Sequence, residues 1–479
     1  MGLSEYLNDF KGKRVAVIGA GISNTPLIEA LLAAGIETTV RDRRTYDELS
    51  ELAISFEKSG AGLRLGDDYL SGLDEDVIFR TPGLMPTCSA LVEAVGRGAV
   101  LTSEMEAFFD ICPCKTIAVT GSDGKTTTTS IIAQLLRNAG KTVHLGGNIG
   151  TPLLLRTDEM KSEDIAVIEL SSFQLITMRK SPNIAVVTNL SPNHLDVHSD
   201  MDEYIEAKSN IFMYQMPSDR AVFNLDNDIT LNYARNAPAR EVLFFSRFEI
   251  VIDGVYSEDG VIYESHGGER EAIMCADDIV LPGVHNVENY LAAFASVSGL
   301  VGHDVMRKTA REFRGVEHRI EFVRELRGVR YYNDSIASSP SRAIAGLRAL
   351  TASAEISGVE GIKSEDRKII LIAGGKDKGI GFDEFGVEVA ARVKALILIG
   401  MTADRIYEAV VGAPGDGLVL AEARGIHKCK EFKEAVLLAS ELASDGDIVL
   451  LSPACTSFDM FKNFEKRGNV FKDIVNELV

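Results

Sequence analysis

The chain has 479 residues, more than one hydrophobic core usually supports, and a length of this kind points to about three domains. Hydrophobic residues at 46% and charged residues at 25% are ordinary globular values, which exclude collagenous, mucin-like and broadly disordered classes. A formal net charge of -20 excludes nucleic acid as the main partner, because a polyphosphate scaffold calls for a basic face; a small anion held by a few local cations stays open.

No apolar run approaches the roughly 20 residues needed to span a bilayer, so no membrane insertion is expected. The opening residues MGLSEYLNDFKGK lack a signal-peptide core, which makes the cytoplasm the expected compartment. The six cysteines (Cys88, Cys112, Cys114, Cys275, Cys429, Cys455) contain no CxxC pair and read as reduced thiols. The tight Cys112-Pro113-Cys114 pair has the composition of a redox or metal site but lacks the second half of a zinc cluster.

Val- and Ile-rich runs alternate with helix-patterned stretches along the whole chain, the pattern of βαβ units and mostly parallel sheets; the expected class is α/β. The first unit opens with RVAVIGAGISN, a buried strand running into a glycine turn, then the helical stretch TPLIEALLAAG and a strand ETTVRD. The turn Gly19-Ala20-Gly21-Ile22-Ser23-Asn24 carries part of a dinucleotide fingerprint, and Asp42 lies near the place of a ribose-binding acid. The third glycine is replaced by Asn24, and Arg43 and Arg44 follow the acid, which suits a nucleotide diphosphate at the sheet's carboxyl edge. Glycines that serve the turn alone are the competing reading.

Around Met105 to Cys114 the pattern resets: a helical stretch ends in ICPCK and the strand TIAVTG runs into Thr120-Gly121-Ser122-Asp123-Gly124-Lys125-Thr126-Thr127. Between a strand and a helix this is a phosphate cradle: glycines turn N–H groups inward, the helix N-terminus adds partial positive charge, Lys125 reaches the terminal phosphates, and Thr126 or Thr127 ligates Mg²⁺. Position 119 is Val where the common pattern has Gly, so the loop is shorter. Glu169 follows the strand DIAVI, placed to hold Mg²⁺ or to cap the helix behind it. His194 follows the strand IAVV, and Lys208 lies on the next helix in YIEAK; taken singly, each reads as a packed histidine and a solvated lysine. After NVENYLAAFASVSGL the pattern resets again near Gly315, and strands VRYYND, KIILIAGG, ALILIG and DIVLLSPA follow, with TASAEISGVEGIKSEDRK as a surface loop. The expected domains are 1–108, 109–314 and 315–479.

In this order, TGSDGKTTT, GGNIGTP, ELSSFQL, NLSPNHLD with YIEAK, LPGVHNVENYLAA, GVEHRIE, YYNDS and LSPACTSFDMFKNFEKRG resemble the motifs of the Mur ligases across essentially the whole chain. GNIGTP, ELSSFQL and the last motif are similar to the D-glutamate-adding branch, and a DNPR-type motif of the diaminopimelate-adding branch is missing. The resemblance implies three domains: an N-terminal Rossmann-like one for the uridine substrate, a central P-loop one and a C-terminal Rossmann-like one for the amino acid. It implies an ATP-dependent amide ligase that joins D-glutamate to UDP-N-acetylmuramoyl-L-alanine through an acyl phosphate, as a monomer, in peptidoglycan precursor synthesis.

By the same resemblance Gly121 to Thr127 bind the ATP phosphates, and Thr126 and Glu169 hold one Mg²⁺. His194 and a carbamylated Lys208 hold a second ion. Asn289, Arg319 and Asp334 hold the adenosine half of ATP, with Asn286 and His318 nearby. Ile22, Ser23, Arg43, Arg44 and Gly83 bind the uridine diphosphate, and Asn148 the muramoyl group. Lys378, Ser457 and Phe464 position D-glutamate. Where the family commonly reads NDSKATN, this chain reads Asn333 to Ser339 as NDSIASS: Ile336 replaces the lysine, and Ser338 keeps a hydroxyl in place of threonine. A hinge near Gly315 is expected, since closure excludes water from an acyl phosphate. A folylpolyglutamate synthase would lack the N-terminal unit and the SPACTSFDMFKNFEKRG tail. A nicotinamide dehydrogenase leaves TGSDGKT unexplained, and a nucleotide-binding regulator needs no Glu169, His194 and Lys208 together.

Overall fold

The computed structural model describes residues 2–191, 200–281, 283–352, 367–376, 381–414 and 425–479. The expected loop TASAEISGVEGIKSEDRK, and with it His194 and Lys378, falls almost wholly or wholly outside them. The chain divides into two compact units, one of residues 1–279 with 285–311 and one of residues 280–284 with 312–479.

The first unit holds two sheets. Five parallel strands run in the order Gly62–Leu65, Thr38–Asp42, Val15–Ile18, Val77–Phe79, Val100–Thr102. The second sheet runs Glu269–Cys275, Val261–His266, Gly254–Glu258, Glu241–Ser246, Arg220–Asn224, Ile184–Val187, Lys115–Thr120, Ile165–Glu169, Val143–Gly147. Its strands are parallel except for the hairpins that join the last three in sequence. Strands such as VAVI and IAVV are buried at every position, which is why they read as unbroken apolar runs instead of alternating ones.

The antiparallel extension was not anticipated, although its turns are written in the sequence. Asp259-Gly260 and Gly267-Gly268 adopt positive φ at both central residues, the geometry that two-residue hairpins need.

One core runs from the first sheet into the second, from Phe10, Phe79 and Phe108 through Leu153 and Leu154 to Ala118 and Val187. Buried polar groups fasten the same junction. Arg80, 1% exposed, donates to the Phe173 carbonyl at 2.7 Å and to Thr177 Oγ1 at 3.0 Å. Glu104 accepts the Leu154 N–H at 3.1 Å, and burial pushes its carboxyl up to about 7.

The second unit is a six-stranded sheet in the order Glu321–Leu326, Val329–Asn333, Ile448–Leu451, Ile369–Ala373, Val393–Leu398, Ile426–Lys428. Only the first pair is antiparallel. Apolar clusters line both faces, with Leu347, Phe385 and Ile406 on one side and Phe432, Val436 and Phe471 on the other. The class is therefore α/β with parallel-dominated sheets, as expected.

The N-terminal sheet buries one full ion pair. Arg41 places Nε and Nη2 at 3.0 and 3.1 Å from the two Glu75 oxygens, and spends its remaining donors on the carbonyls of Tyr69, Ser71 and Gly72. Removing one partner strands a desolvated charge, which costs about 3–5 kcal/mol. Glu75→Ala is expected to lower the unfolding free energy by that amount in urea titration followed by far-UV circular dichroism. Asp74→Ala, on the exposed pair with Arg14, is expected to leave the curve in place.

Candidate active site

Strand Lys115–Thr120 ends between Ile165–Glu169 and Ile184–Val187, and parallel pairing brings all three carboxyl ends to one edge. The loop after Thr120 is tied to the chain that leaves Ile184–Val187. Ser122 N–H donates to the Asn189 carbonyl at 2.8 Å, Asp123 N–H to Asn189 Oδ1 at 2.9 Å, and Thr188 Oγ1 to the Asp123 carbonyl at 2.6 Å. Gly121 (φ 152°) approaches so closely that an added Cβ would lie 1.9 Å from Thr188 Oγ1. Gly124 (φ 76°) precedes helix Lys125–Asn138, and its Cβ would lie 2.3 Å from Asn289 Oδ1. The backbone N–H groups of that helix start are thus offered without a side chain in the way, as an anion site requires.

Lys125 Nζ donates to the Gly121 and Ser122 carbonyls at 3.0 and 2.7 Å, folded over the loop it is expected to serve. Thr126 Oγ1 donates to Glu169 Oε2 at 2.7 Å, and Asn148 Nδ2 to Glu169 Oε1 at 2.7 Å. Thr127 stands half-buried beside them on the first turn. Asn289 Oδ1 accepts from Thr128 at 3.2 Å, and its Nδ2 donates to Asn286 Oδ1 at 2.9 Å. The structure thus brings Gly121 to Thr127, Asn148, Glu169 and Asn289 together within the first unit.

Lys208 joins them. Against the solvated lysine expected of it singly, it is 2% exposed, donating to Thr120 Oγ1 at 3.2 Å and the Gly121 carbonyl at 2.9 Å, with Nζ 4.8 Å from the Tyr204 ring centroid. Burial first, and the Lys125 charge second, hold its ammonium well below the ordinary lysine range. Tyr204, which sequence reading passed over, binds Ser122 Oγ through its hydroxyl at 3.0 Å and so ties this helix to the loop.

A hard cation fits this donor set. Glu169 and Thr126 offer oxygen only, and among the described residues no three His, Cys, Asp or Glu side chains converge on one point. Magnesium with one carboxylate, a hydroxyl, water and phosphate oxygens matches that sparse supply.

At the N-terminal sheet the carboxyl ends of Val15–Ile18, Thr38–Asp42 and Val77–Phe79 carry Ile22 with Ser23, Arg43 with Arg44, and Gly83. Ile22 is 84% exposed, Arg43 is exposed, and Gly21 and Gly83 face open space. Asp42 is engaged by its own neighbours. It accepts Ala20 N–H at 2.8 Å and both Arg44 Nε and Nη2, and Arg44 Nη2 also reaches the Ala20 carbonyl. Burial raises the Asp42 carboxyl, but these bonds together outweigh it and hold it low. Asn24, at the place of the third glycine, donates to the Ile18 and Gly19 carbonyls and braces the turn.

In the second unit the ends of Val329–Asn333 and Ile448–Leu451 meet. Asp334 accepts from Ser452 Oγ at 2.7 Å and from Ile320 N–H at 3.3 Å, and Arg319 stands exposed beside that segment. Ser457 is 2% exposed, Ser338 and Phe464 are half-buried, and the Phe464 ring meets His318 edge-on at 5.9 Å. The residue that joins these segments, Arg467, was not singled out in the sequence although it sits inside FEKRG. It is 1% exposed and donates to Ser335 Oγ, Ser335 O and Cys455 O, at 3.0, 2.9 and 3.1 Å. Burial lowers its guanidinium to about 10.

Burial pushes the Asp334 carboxyl up to about 7 from 3.8. The folded state therefore holds its proton more tightly than the unfolded chain, and the contribution to stability is full below about pH 3.8 and lost as pH rises through about 7. Asp334→Asn is expected to flatten that part of the stability profile. Urea midpoints of wild type and variant that run parallel across the window would refute the assignment.

The sequence matches the family described as Mur ligase middle domain over residues 119–297 and the one described as Mur ligase, glutamate ligase domain over residues 318–455. It is 49% identical to the UDP-N-acetylmuramoylalanine–D-glutamate ligase of Acetivibrio thermocellus, across 99% of this chain and 100% of that one. It is 48% identical to the ligase of the same name from Ruminiclostridium cellulolyticum, across 99% of each. Among solved structures, the UDP-N-acetylmuramate-alanine ligase MurC of Thermotoga maritima shares the fold, with a TM-score of 0.55 at 17% identity over 97% of this chain and 99% of that one. The chain belongs to the Mur ligase family.

Proposed function

We propose that this protein joins D-glutamate to UDP-N-acetylmuramoyl-L-alanine with ATP, releasing ADP and phosphate, in the cytoplasm, where ATP and nucleotide-linked substrates are at hand. One observation carries the reading: the phosphate loop stands against a buried carboxylate, Glu169, and a buried lysine, Lys208, in a chain nearly half identical along its length to ligases of that name. We assign residues 1–108 to the uridine substrate, 109–314 to ATP and 315–479 to the amino acid. In support, each stretch contains one sheet, and Ile22, Ser23, Arg43, Arg44 and Gly83 follow strand ends of the first and Gly121 to Thr127 a strand end of the second.

The L-alanine carboxylate attacks the γ-phosphorus of ATP, the bond to the ADP oxygen breaks, and an acyl phosphate forms. Lys125 exchanges its loop carbonyls for phosphoryl oxygens, and the N–H groups of the loop hold the same charge from the helix side. Magnesium, when bound by Thr126 and Glu169, supplies further neutralisation of the crowded oxygens. The D-glutamate amine, once deprotonated, attacks the acyl carbon, and the tetrahedral intermediate expels phosphate. Ser338, Ser457 and Phe464, which Arg467 holds on segments tied to one another, orient the amino acid. Ile336 stands where relatives commonly have lysine, so its carboxylates rely on other donors. His194 and Lys378 keep their implied roles as metal ligand and carboxylate partner.

Lys208 serves a second ion only after modification, because an ammonium donates and cannot ligate. Burial favours its neutral amine over the ammonium, and the amine form adds CO₂: a C–N bond forms, one proton leaves, and a carboxylate results. With ¹³C-bicarbonate, a carbamate carbon signal is expected in the wild-type protein and not in Lys208→Arg. Turnover of that variant is expected to fall at least about a hundredfold. A variant that keeps full turnover would remove Lys208 from the chemistry.

The direct test measures phosphate release with ATP, magnesium and UDP-N-acetylmuramoyl-L-alanine, comparing D-glutamate, L-glutamate and no amino acid. Release that requires both the nucleotide substrate and D-glutamate is the expected result. Release with another amino acid would leave the ATP site standing and overturn the substrate assignment.

A further inference from the structure

Two thiols face each other at the opposite end of the strand that carries the phosphate loop. Helix Glu104–Ile111 ends at Cys112, whose backbone is extended (φ -58°, ψ 119°), and strand Lys115–Thr120 begins just after Cys114. Along an extended chain, side chains two residues apart leave on the same side. Pro113 fixes its own φ near -65° and keeps this short link out of the helix that precedes it. Cys112 Sγ and Cys114 Sγ stand 3.6 Å apart. Their surroundings differ: Cys114 is 7% exposed, packed under the junction of the two sheets, while Cys112 is only half-buried.

We propose that Cys112 and Cys114 form a reversible dithiol site, oxidised to an intrachain disulfide by small-molecule disulfides. The half-buried Cys112 meets the oxidant, and the buried Cys114 resolves the adduct. The hydrogen bond between the two thiols holds Cys112 below the ordinary thiol range against the opposing effect of burial; the same bond and burial raise Cys114. The first attack falls to Cys112, the thiol that solvent reaches.

The exchange balances without a further reactant. Cys112 thiolate attacks one sulfur of the small disulfide, and one small thiolate leaves, taking up a proton from solvent. Cys114 then loses its proton and attacks Cys112 Sγ, and the second small thiol leaves. Two protein thiols and one small disulfide become one protein disulfide and two small thiols. The sulfurs close from 3.6 Å to a bond of about 2.05 Å.

The experiment uses the full-length protein with bis(2-hydroxyethyl) disulfide. After denaturation, thiol titration is expected to fall from the six cysteines of the sequence by two for the Cys112–Cys114 link, before the further loss of one as Cys275 is modified, with a peptide linking Cys112 to Cys114 and recovery on adding dithiothreitol. The exposed Cys275 serves as internal reference, carrying a simple adduct and reacting more slowly than Cys112. Cys114→Ser is expected to trap a stable adduct on Cys112, and Cys112→Ser to leave Cys114 unmodified over the same period. Cys112 and Cys114 still free when Cys275 is fully modified, separate stable adducts on both, or no adduct on Cys112 in Cys114→Ser would each overturn the proposal.

Discussion

Gly121 has no room for a side chain because two neighbouring strands of a parallel sheet deliver their loops to the same edge. Thr120 pairs with Val187, and one residue later the backbone of one loop runs against Thr188 and Asn189 of the other. That approach lets Thr188 and Asn189 take up the carbonyl of Asp123 and the N–H groups of Ser122 and Asp123. Satisfied in this way, the loop holds one shape, and its helix start stays open to an anion. The positions of Lys125 and Thr126, at the start of the helix that follows, depend on that shape.

Around this frame the chain places charges where water cannot relax them. Glu169 is 1% exposed and Lys208 is 2% exposed. The carboxylate has two donors, a hydroxyl and an amide, and keeps lone pairs for a cation. The lysine has two neutral acceptors and a second cation nearby, so burial favours the amine. In each case the surroundings set the form the group takes: Glu169 is held by donors, and Lys208 is pushed toward its neutral form. In the second unit Arg467 does comparable structural work, since its guanidinium donates to carbonyls of two loops, those of Ser335 and Cys455.

Much of this was legible beforehand for a physical reason. Strands buried on both faces must be apolar throughout, and a phosphate cradle needs glycines before a lysine and a hydroxyl. Val15–Ile18, Lys115–Thr120 and Gly121 to Thr127 therefore announce themselves in one dimension. The hairpins at Asp259-Gly260 and Gly267-Gly268 had equally local signals and were simply overlooked. Asp42 was placed on its strand end, but nothing in its spacing tells that Arg44 folds back onto it.

By itself, then, the sequence determined the α/β class, the phosphate loop and the family, since these depend on residue type at short spacing. Only the tertiary structure decided which charges lose water and whom they meet. Lys208 lies 87 residues from the Gly121 carbonyl it binds, and Arg467 lies 132 residues from Ser335. Arg41 and Glu75 likewise form their pair across 34 residues. Burial and pairing of this kind come from the packing of distant segments, and a lysine on a helix reads the same in sequence whether water or a sheet edge lies beyond it.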